Sequence, residues 1–411
     1  MEFIEQKFPS LMHKNFRMLW ILEIFSLLGV WIQATAQSWL VYKLTDSPFF
    51  LGLVSAMQFT PVLLFSVFAG VIIDKFSKRK VLLITQYSLA ILAFLMSALV
   101  ISGYIKYGHI LVFAALLGIV NTFDMPTRQS IVMEFVGGKD LTNAVALNSG
   151  IFNVARMVGP AVAGILMRKK SMGYCFLITA LLYIPIVIFL TKVKTKSQKN
   201  DKINVLGVLK DVGDGIKYIL SKKELYVVIF LVVIMGIFAL NYSVFIPVLA
   251  KDVLHMDSKG YGNLMSSVGI GAFLGAIVMS QLGRSGPKVS IILSSLSTIV
   301  VVIAMLGYAT NFWMMAVLLV LTGFCNNVFF TNANSMLMLN AKDEFRGRVM
   351  SVYTLAFSGT SPIGNLFSGI MIDKYSAKVA LISCSVIITV VIGTFLLIEW
   401  YLYKKTKAVI V

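Results

Sequence analysis

Residues 70–80 read GVIIDKFSKRK, and the reading of this stretch decides the fold. One acid and four cations fall within the seven residues from Asp74 to Lys80, between one long apolar run and another. Charged side chains are expensive in hydrocarbon and cheap in water, so a charged turn this short between two hydrophobic spans reads as a hairpin at a membrane edge.

The rest of the chain supports a membrane. Hydrophobic residues make up 58% of the 411, charged residues only 13%, and the mean hydropathy is +0.87. A soluble globular chain carries roughly a quarter of its residues as charges. Runs long enough to cross about 30 Å of hydrocarbon as helix, roughly 20 residues each, fall at about 16–42, 50–73, 81–102, 109–136, 141–167, 174–191, 223–250, 260–282, 289–309, 312–340, 348–372 and 379–403. The expectation is an all-α integral membrane protein with twelve transmembrane helices. The runs are continuous rather than alternating, which excludes a β-barrel. The first run is long, holds Glu23 and lacks a small-residue cleavage pattern, so no removable signal peptide is expected.

The formal net charge of +18 raises nucleic acid as a partner, and its distribution argues against one. With the N-terminus placed inside, 25 of the 36 Lys and Arg lie in cytoplasmic segments, nine lie opposite, and Arg128 and Arg156 lie within spans. That asymmetry over short loops follows the positive-inside rule. A multi-pass protein of the cytoplasmic membrane with both termini cytoplasmic is expected, its basicity topological.

Cys175, Cys325 and Cys384 sit far apart in separate spans and read as small packing residues. His13, His109 and His255 fall in the tail or at loop edges, so no metal site is expected. Gly138-Lys139 is followed by Asp140, with no glycine at 133, which excludes a P-loop. No cofactor is expected. An enzyme would need a nucleophile, metal set or histidine pair at the membrane face, and none is visible.

The longest hydrophilic interval, 192–222, divides the chain into six-helix halves at 1–191 and 223–411. It is lysine-rich and then weakly amphipathic, with Val205, Leu206, Val208, Leu209, Val212, Ile216, Ile219 and Leu220 in roughly helical spacing. A helix on the cytoplasmic surface is expected, with a solvated linker as the alternative. An offset of 205 places Gly70 on Gly275, Arg79 on Arg284, Ser130 on Ser335, Gly159 on Gly364 and Gly164 on Gly369. The second copy is degenerate, with Met279 and Ser280 where Asp74 and Lys75 stand in the first.

Polar residues inside the spans are the candidate site. Asp124 and Arg128 are four apart on one helix face, with Pro126 expected to kink the helix between them. Asp124 lies 13 residues before the turn at Gly137 and Arg156 lies 16 after Asp140. At about 1.5 Å per residue their heights differ by roughly 5 Å, so a buried Asp124, Arg128, Arg156 cluster is expected. It reads equally as structural glue and as an acid that changes protonation as access alternates. Glu23, about a third of the way into the first span, is a second proton-site candidate; Glu134 and Glu399 lie near cytoplasmic ends and read as hydrated. Gln33, Asn121, Asn153, Asn241, Tyr242, Asn326 and Asn327 form a polar layer near mid-depth, explicable by interhelical hydrogen bonds and, as a set, by a cavity for a large amphipathic ligand. The 29 Phe, 21 Met and 15 Tyr read mainly as packing and lipid-facing surface.

These strings resemble the major facilitator superfamily. Gly70, Asp74, Lys75, Lys78 and Arg79 match the loop signature G-x-x-x-D-[RK]-x-G-[RK]-[RK], with Ser77 in place of the central glycine and Lys80 adding a further cation. Asp124-Met125-Pro126-x-Arg128-Gln129, Ala155-Arg156-x-Val158-Gly159-Pro160-x-x-Ala163-Gly164, Phe345-Arg346-Gly347-Arg348-Val349 and Pro362-x-Gly364 resemble the branch containing enterobactin exporters and macrolide efflux proteins. Asn15-Phe16-Arg17-x-Leu19-Trp20 and Trp39-Leu40-Val41-Tyr42-x-Leu44-Thr45 fit it too. Gly159, Pro160 and Gly164 are similar to the antiporter packing motif G-P-x-x-G-G, with Ala163 replacing one glycine. The resemblance implies two pseudo-symmetric halves, a substrate cavity at their interface, a monomer in the bilayer, and proton-coupled export of drug, macrolide or siderophore molecules. A uniporter or importer of the same fold, and a non-transporting receptor, are the alternatives. It further implies that Asp74 faces the start of the eleventh span, near Arg346 and Arg348, when the cytoplasmic side closes.

Overall fold

The computed structural model describes residues 7–193, 195, 205–283 and 286–409. Among them there is no strand, and the helices are α1 (Lys14–Thr45), α2 (Pro48–Lys75), α3 (Lys78–Ile101), α4 (Tyr107–Lys169), α5 (Gly173–Lys192), α6 (Val205–Leu220), α7 (Lys223–Phe238), α8 (Tyr242–Val248), α9 (Ser258–Leu282), α10 (Val289–Leu306), α11 (Phe312–Asn340), α12 (Asp343–Gly359), α13 (Ser361–Lys374) and α14 (Ala377–Val409). Ten described helical segments are long and apolar enough to cross a membrane, with α7, α8 and the π-turn Leu249–Val253 counted as one. Two further crossings follow from α4, which crosses twice, and from α12 with α13, which cross together. The expected twelve spans are present.

Helix α4 runs for 63 residues and would be about 95 Å long if straight. It reverses at Gly137, the one interior residue with non-helical angles (φ 69°, ψ 179°), a backbone region open to glycine and strained for other residues. Contacts with α1 prove the reversal. Arg128 meets Glu23, Asp140 meets His13 at 2.8 Å, and Gly159 meets Trp31, so α4 runs down α1 and then back up it. Pro126 lies inside the helix with helical backbone angles around it, and the reversal falls at Gly137. Two spans expected as continuous are interrupted, between Phe238 and Tyr242 and at Thr360. No proline lies at 239–241, whereas Pro362, which has no N–H to donate, lies at the start of α13 just after Thr360. Asn241 spans the first, donating to Ile237 O (2.7 Å) and Ser368 Oγ (2.9 Å).

Two of the three glycine pairs shared at an offset of 205 do matching work, whereas Gly70 meets nothing and Gly275 packs on Phe324 and Asn327. Gly159 packs on α1 against Trp31, and Gly364 packs on α7 against Ile237. Gly164 meets Gly262 of α9, and Gly369 meets Gly52 of α2. A Cβ on Gly262 would stand 2.4 Å from Pro160 O and 2.9 Å from Gly164 Cα, so these helices touch backbone to backbone. Small residues permit this closeness where dispersion, not water exclusion, drives helix association. All four glycines of these two crossings lie toward the end where α1 finishes, here the far end; the near end holds the 70–80 turn.

Helix α6 appears where the amphipathic spacing placed it. It docks at the near end on the start of α12: Tyr218 stacks on Phe345 (4.3 Å, 8°), and its hydroxyl accepts from Lys342 N at 3.1 Å. Most of the lysine-rich run before it lies outside the described residues.

Candidate functional site

A charged cluster sits between α1, α3 and the first arm of α4. Arg128 donates from all three nitrogens: Nε to Asp124 Oδ2 (2.6 Å), Nη1 to Glu23 Oε1 (3.2 Å) and Nη2 to Ser26 Oγ (2.9 Å). The i,i+4 spacing puts Asp124 beside Arg128, and the approach of α1 brings Glu23. Asp124 Oδ1 accepts from Thr85 Oγ1 and Gln86 Nε2, each at 2.6 Å. Glu23 and Asp124 are 3% and 4% exposed, so two acids share one guanidinium out of bulk water. The two carboxylates are unequal. Asp124 accepts three hydrogen bonds and Glu23 accepts one.

Arg156 is not in this cluster, which corrects the expected Asp124, Arg128, Arg156 grouping. Its guanidinium lies over the Trp31 ring, 5.5 Å from the centroid. Trp31 is eight residues beyond Glu23, about 12 Å further along α1. The height estimate omitted the direction each side chain takes around the helix axis. Gly159 fixes this geometry, since a Cβ there would come within 2.5 Å of Trp31 Cβ. Behind Arg156, α9 presses Gly269 against its backbone: a Cβ there would stand 2.5 Å from Arg156 O. Tyr242 of α8 lies within electrostatic range of the guanidinium, and Asn326 Nδ2 donates to the Tyr242 hydroxyl.

The rest of the polar layer divides. Asn241 braces the α7–α8 break, Asn153 bonds its own helix at Ser149 O (2.8 Å), and Asn327 packs near Gly275 and accepts weakly from Thr331. Gln33 is buried on α1 and Asn121 half-buried on α4, one turn before Asp124. Gln37 and Gln58, absent from the sequence-based set, pair at 3.3 Å between α1 and α2. Thr85 and Gln86 were missed as well; neutral polar residues in an apolar helix carry no signal until their partner is known.

At the far end, four polar links join the first six spans to the last six. Tyr42 donates to Asp252, Lys251 pairs with Asp46 (2.5 Å), Ser47 donates to Asp373 (2.7 Å) and Arg168 pairs with Asp257 (3.1 Å). Trp39 stacks on Tyr261 beneath them (5.0 Å, 16°). At the near end, the residues of the 70–80 turn go elsewhere. Arg79 donates to the carbonyls of Leu190 and Thr191, each at 2.6 Å, closing the end of α5 within its own half. Lys75 and Lys80 are exposed, and Gly70 has no neighbour close enough to meet an added Cβ. Arg346 bonds Asp343 (2.5 Å) and Met338 O (3.0 Å), while Arg348 lies over the Phe345 ring (5.4 Å). The Asp74 side chain lies outside the described residues.

The family profile described as transmembrane secretion effector matches residues 6–408. The staphyloferrin A transporter of Staphylococcus aureus is 27% identical over 364 residues, 85% of this chain and 87% of that protein. The multidrug efflux pump Tap of Mycolicibacterium fortuitum is 22% identical over 353 residues, covering 84% and 86%. The solved nucleoside transporter NupG shares the fold at a TM-score of 0.74 and 13% identity, over 93% of this chain and 98% of that one. Twelve helical crossings, paired glycine contacts and a profile match from end to end agree: the chain is a multi-pass transporter, not an enzyme, and belongs to the transmembrane secretion effector family of the major facilitator superfamily.

Proposed function

We propose that the chain exports hydrophobic or amphipathic small molecules, of the drug or siderophore class, across a bacterial cytoplasmic membrane by proton antiport with alternating access. The division at 1–191, 192–222 and 223–411 supplies the two moving bodies and the segment joining them. The near end, which holds the basic turn and helix α6, is cytoplasmic by the positive-inside count. On this reading the structure is a state sealed at the far end, with cargo entering from the cytoplasm. Family membership and the names of the relatives support the transport class.

The observation that carries the proposal is the inequality between Glu23 and Asp124. With both ionised, the cluster has a net charge of −1 out of water, which is costly. One proton removes that charge. It goes to Glu23, because a proton on Asp124 would disturb an anion held by three donors, whereas Glu23 is held by one. Protonated Glu23 still places an oxygen before Arg128 Nη1 but no longer draws the guanidinium by charge, so α1 is freer to move against α4. Entry of a proton from outside and its release inside would bias the far-open and near-open states in turn, and that bias drives cargo outward. Asp74 at the near end, meeting the start of α12 on closure, would be the latch.

The test is ethidium accumulation in everted vesicles carrying the wild type or Glu23→Gln. Wild-type uptake should collapse when nigericin removes the pH gradient, and the variant should show little gradient-driven uptake. Uptake insensitive to nigericin, or a variant equal to wild type, would overturn the antiport reading.

A further inference from the structure

The charged groups inside the spans do not balance, and the imbalance is local. Arg128 has two carboxylates, whereas Arg156 has no carboxylate partner among the described residues. A guanidinium removed from bulk water needs an anion or a full set of acceptors. Among the described residues Arg156 has the Trp31 face and no hydrogen-bond acceptor. Cation–π contact leaves the five guanidinium N–H donors without acceptors.

Its neighbours lack acceptors in the same way. Trp31 Nε1 is shut off from solvent and bonds nothing, although a buried indole N–H ordinarily finds a partner. The Tyr242 hydroxyl meets Asn326 Nδ2, and Asn326 Oδ1 is itself left without a partner. The Arg156 guanidinium and the Trp31 indole N–H, on α4 and α1, are thus the groups that lack acceptors, with Tyr242 of α8 contributing a hydroxyl. They also come from both halves: Trp31 and Arg156 from the first, Tyr242 and Asn326 from the second. A group bound here would contact both bodies and would feel their relative movement.

We infer that Arg156, Trp31 and Tyr242 form a binding site for an anionic group of the cargo, a carboxylate being the simplest that fits a planar fork of N–H donors. This rests on the transport reading and adds the chemical class: an amphipathic anion, its charge on Arg156 and its apolar part against the aromatic walls. Held over Trp31 in the empty state, the guanidinium swings to the arriving carboxylate. Gly159 and Gly269 keep the two helices close enough for the groups to meet.

The test uses two probes that differ by one charge and one methyl group, dansylglycine and its methyl ester, titrated by fluorescence against the purified full-length chain. Wild type should bind the acid at least roughly tenfold more tightly than the ester, the scale of one charge-assisted hydrogen bond. Arg156→Gln should abolish that preference, with its folding checked independently by size-exclusion profile and melting temperature. Arg156→Lys should keep part of it. Equal wild-type affinities, no binding of the acid by folded wild type, or a preference that survives Arg156→Gln would overturn the anion site. Ethidium transport without any preference for the acid would leave the exporter reading standing and sink this one. A preference lost in Arg156→Gln with no transport of any compound would do the reverse.

Discussion

Removing either acid of the Glu23, Arg128, Asp124 cluster should give two quite different proteins. In Asp124→Ala the guanidinium keeps only Glu23 at 3.2 Å and Ser26, and the Thr85 hydroxyl and Gln86 amide lose their acceptor. Truncating one partner of a buried ion pair costs roughly 3–5 kcal/mol. In Glu23→Gln the side-chain oxygen can still accept from Arg128 Nη1 while Asp124 keeps all three donors, so the loss is roughly 1 kcal/mol. At roughly 2–4 °C per kcal/mol for mid-sized domains, Asp124→Ala should melt at least about 6 °C below wild type and Glu23→Gln only about 2–4 °C below it. Thermal unfolding in detergent, followed by tryptophan fluorescence at fixed pH, measures both. Transport should rank them the other way: Glu23→Gln folds but loses its response to a pH gradient. Equal melting shifts, or a larger one for Glu23→Gln, would refute the claim that Asp124 anchors the cluster and Glu23 is its exchangeable member.

Three further outcomes follow from named contacts. Gly262→Val cannot keep α9 against Pro160 and Gly164, so far-end spin labels at Leu44 and Tyr375 should move apart and transport should fall; an unchanged distance distribution would contradict the far-end seal. Exchanging the Lys251–Asp46 pair as Asp46→Lys with Lys251→Asp should restore most transport lost in either single variant; this exposed pair is worth roughly 0.2–1 kcal/mol, so the single losses should be modest and larger at low salt. Arg79→Ala removes two 2.6 Å bonds to the end of α5 and should lower the melting temperature without altering near-end cysteine accessibility; altered accessibility at an unchanged melting temperature would restore Arg79 to the gate.

The spans were legible because continuous apolar runs of helical length have one solution in a bilayer. The glycine offset was legible because close backbone contact tolerates few residue types. The helix breaks at 239–241 and Thr360 were not: an apolar run keeps its hydropathy through an irregular turn that neighbouring helices satisfy, as Ser368 and Asn241 do here. Within the site, Asp124 with Arg128 followed from i,i+4 spacing, and the depth of Glu23 marked it as needing a partner. Arg156 was assigned the wrong neighbours because height along a span says nothing of azimuth, and azimuth is set by which helix packs on which. Thr85, Gln86 and Trp31 went unnoticed because each gains meaning only from the charge beside it. The 70–80 turn identified the superfamily, yet Arg79 turned out to serve the end of α5.

The most direct measurement is uphill flux by the purified chain alone. Proteoliposomes containing wild type, loaded with equal ethidium or, in a parallel set, equal dansylglycine inside and out, receive an acid-inside pH jump. Wild type oriented with its near end outward should accumulate the dye against its gradient, and Glu23→Gln should equilibrate dye without accumulating it. Wild type that never moves dye uphill, or Glu23→Gln that does so at the wild-type rate, would contradict proton antiport through this cluster.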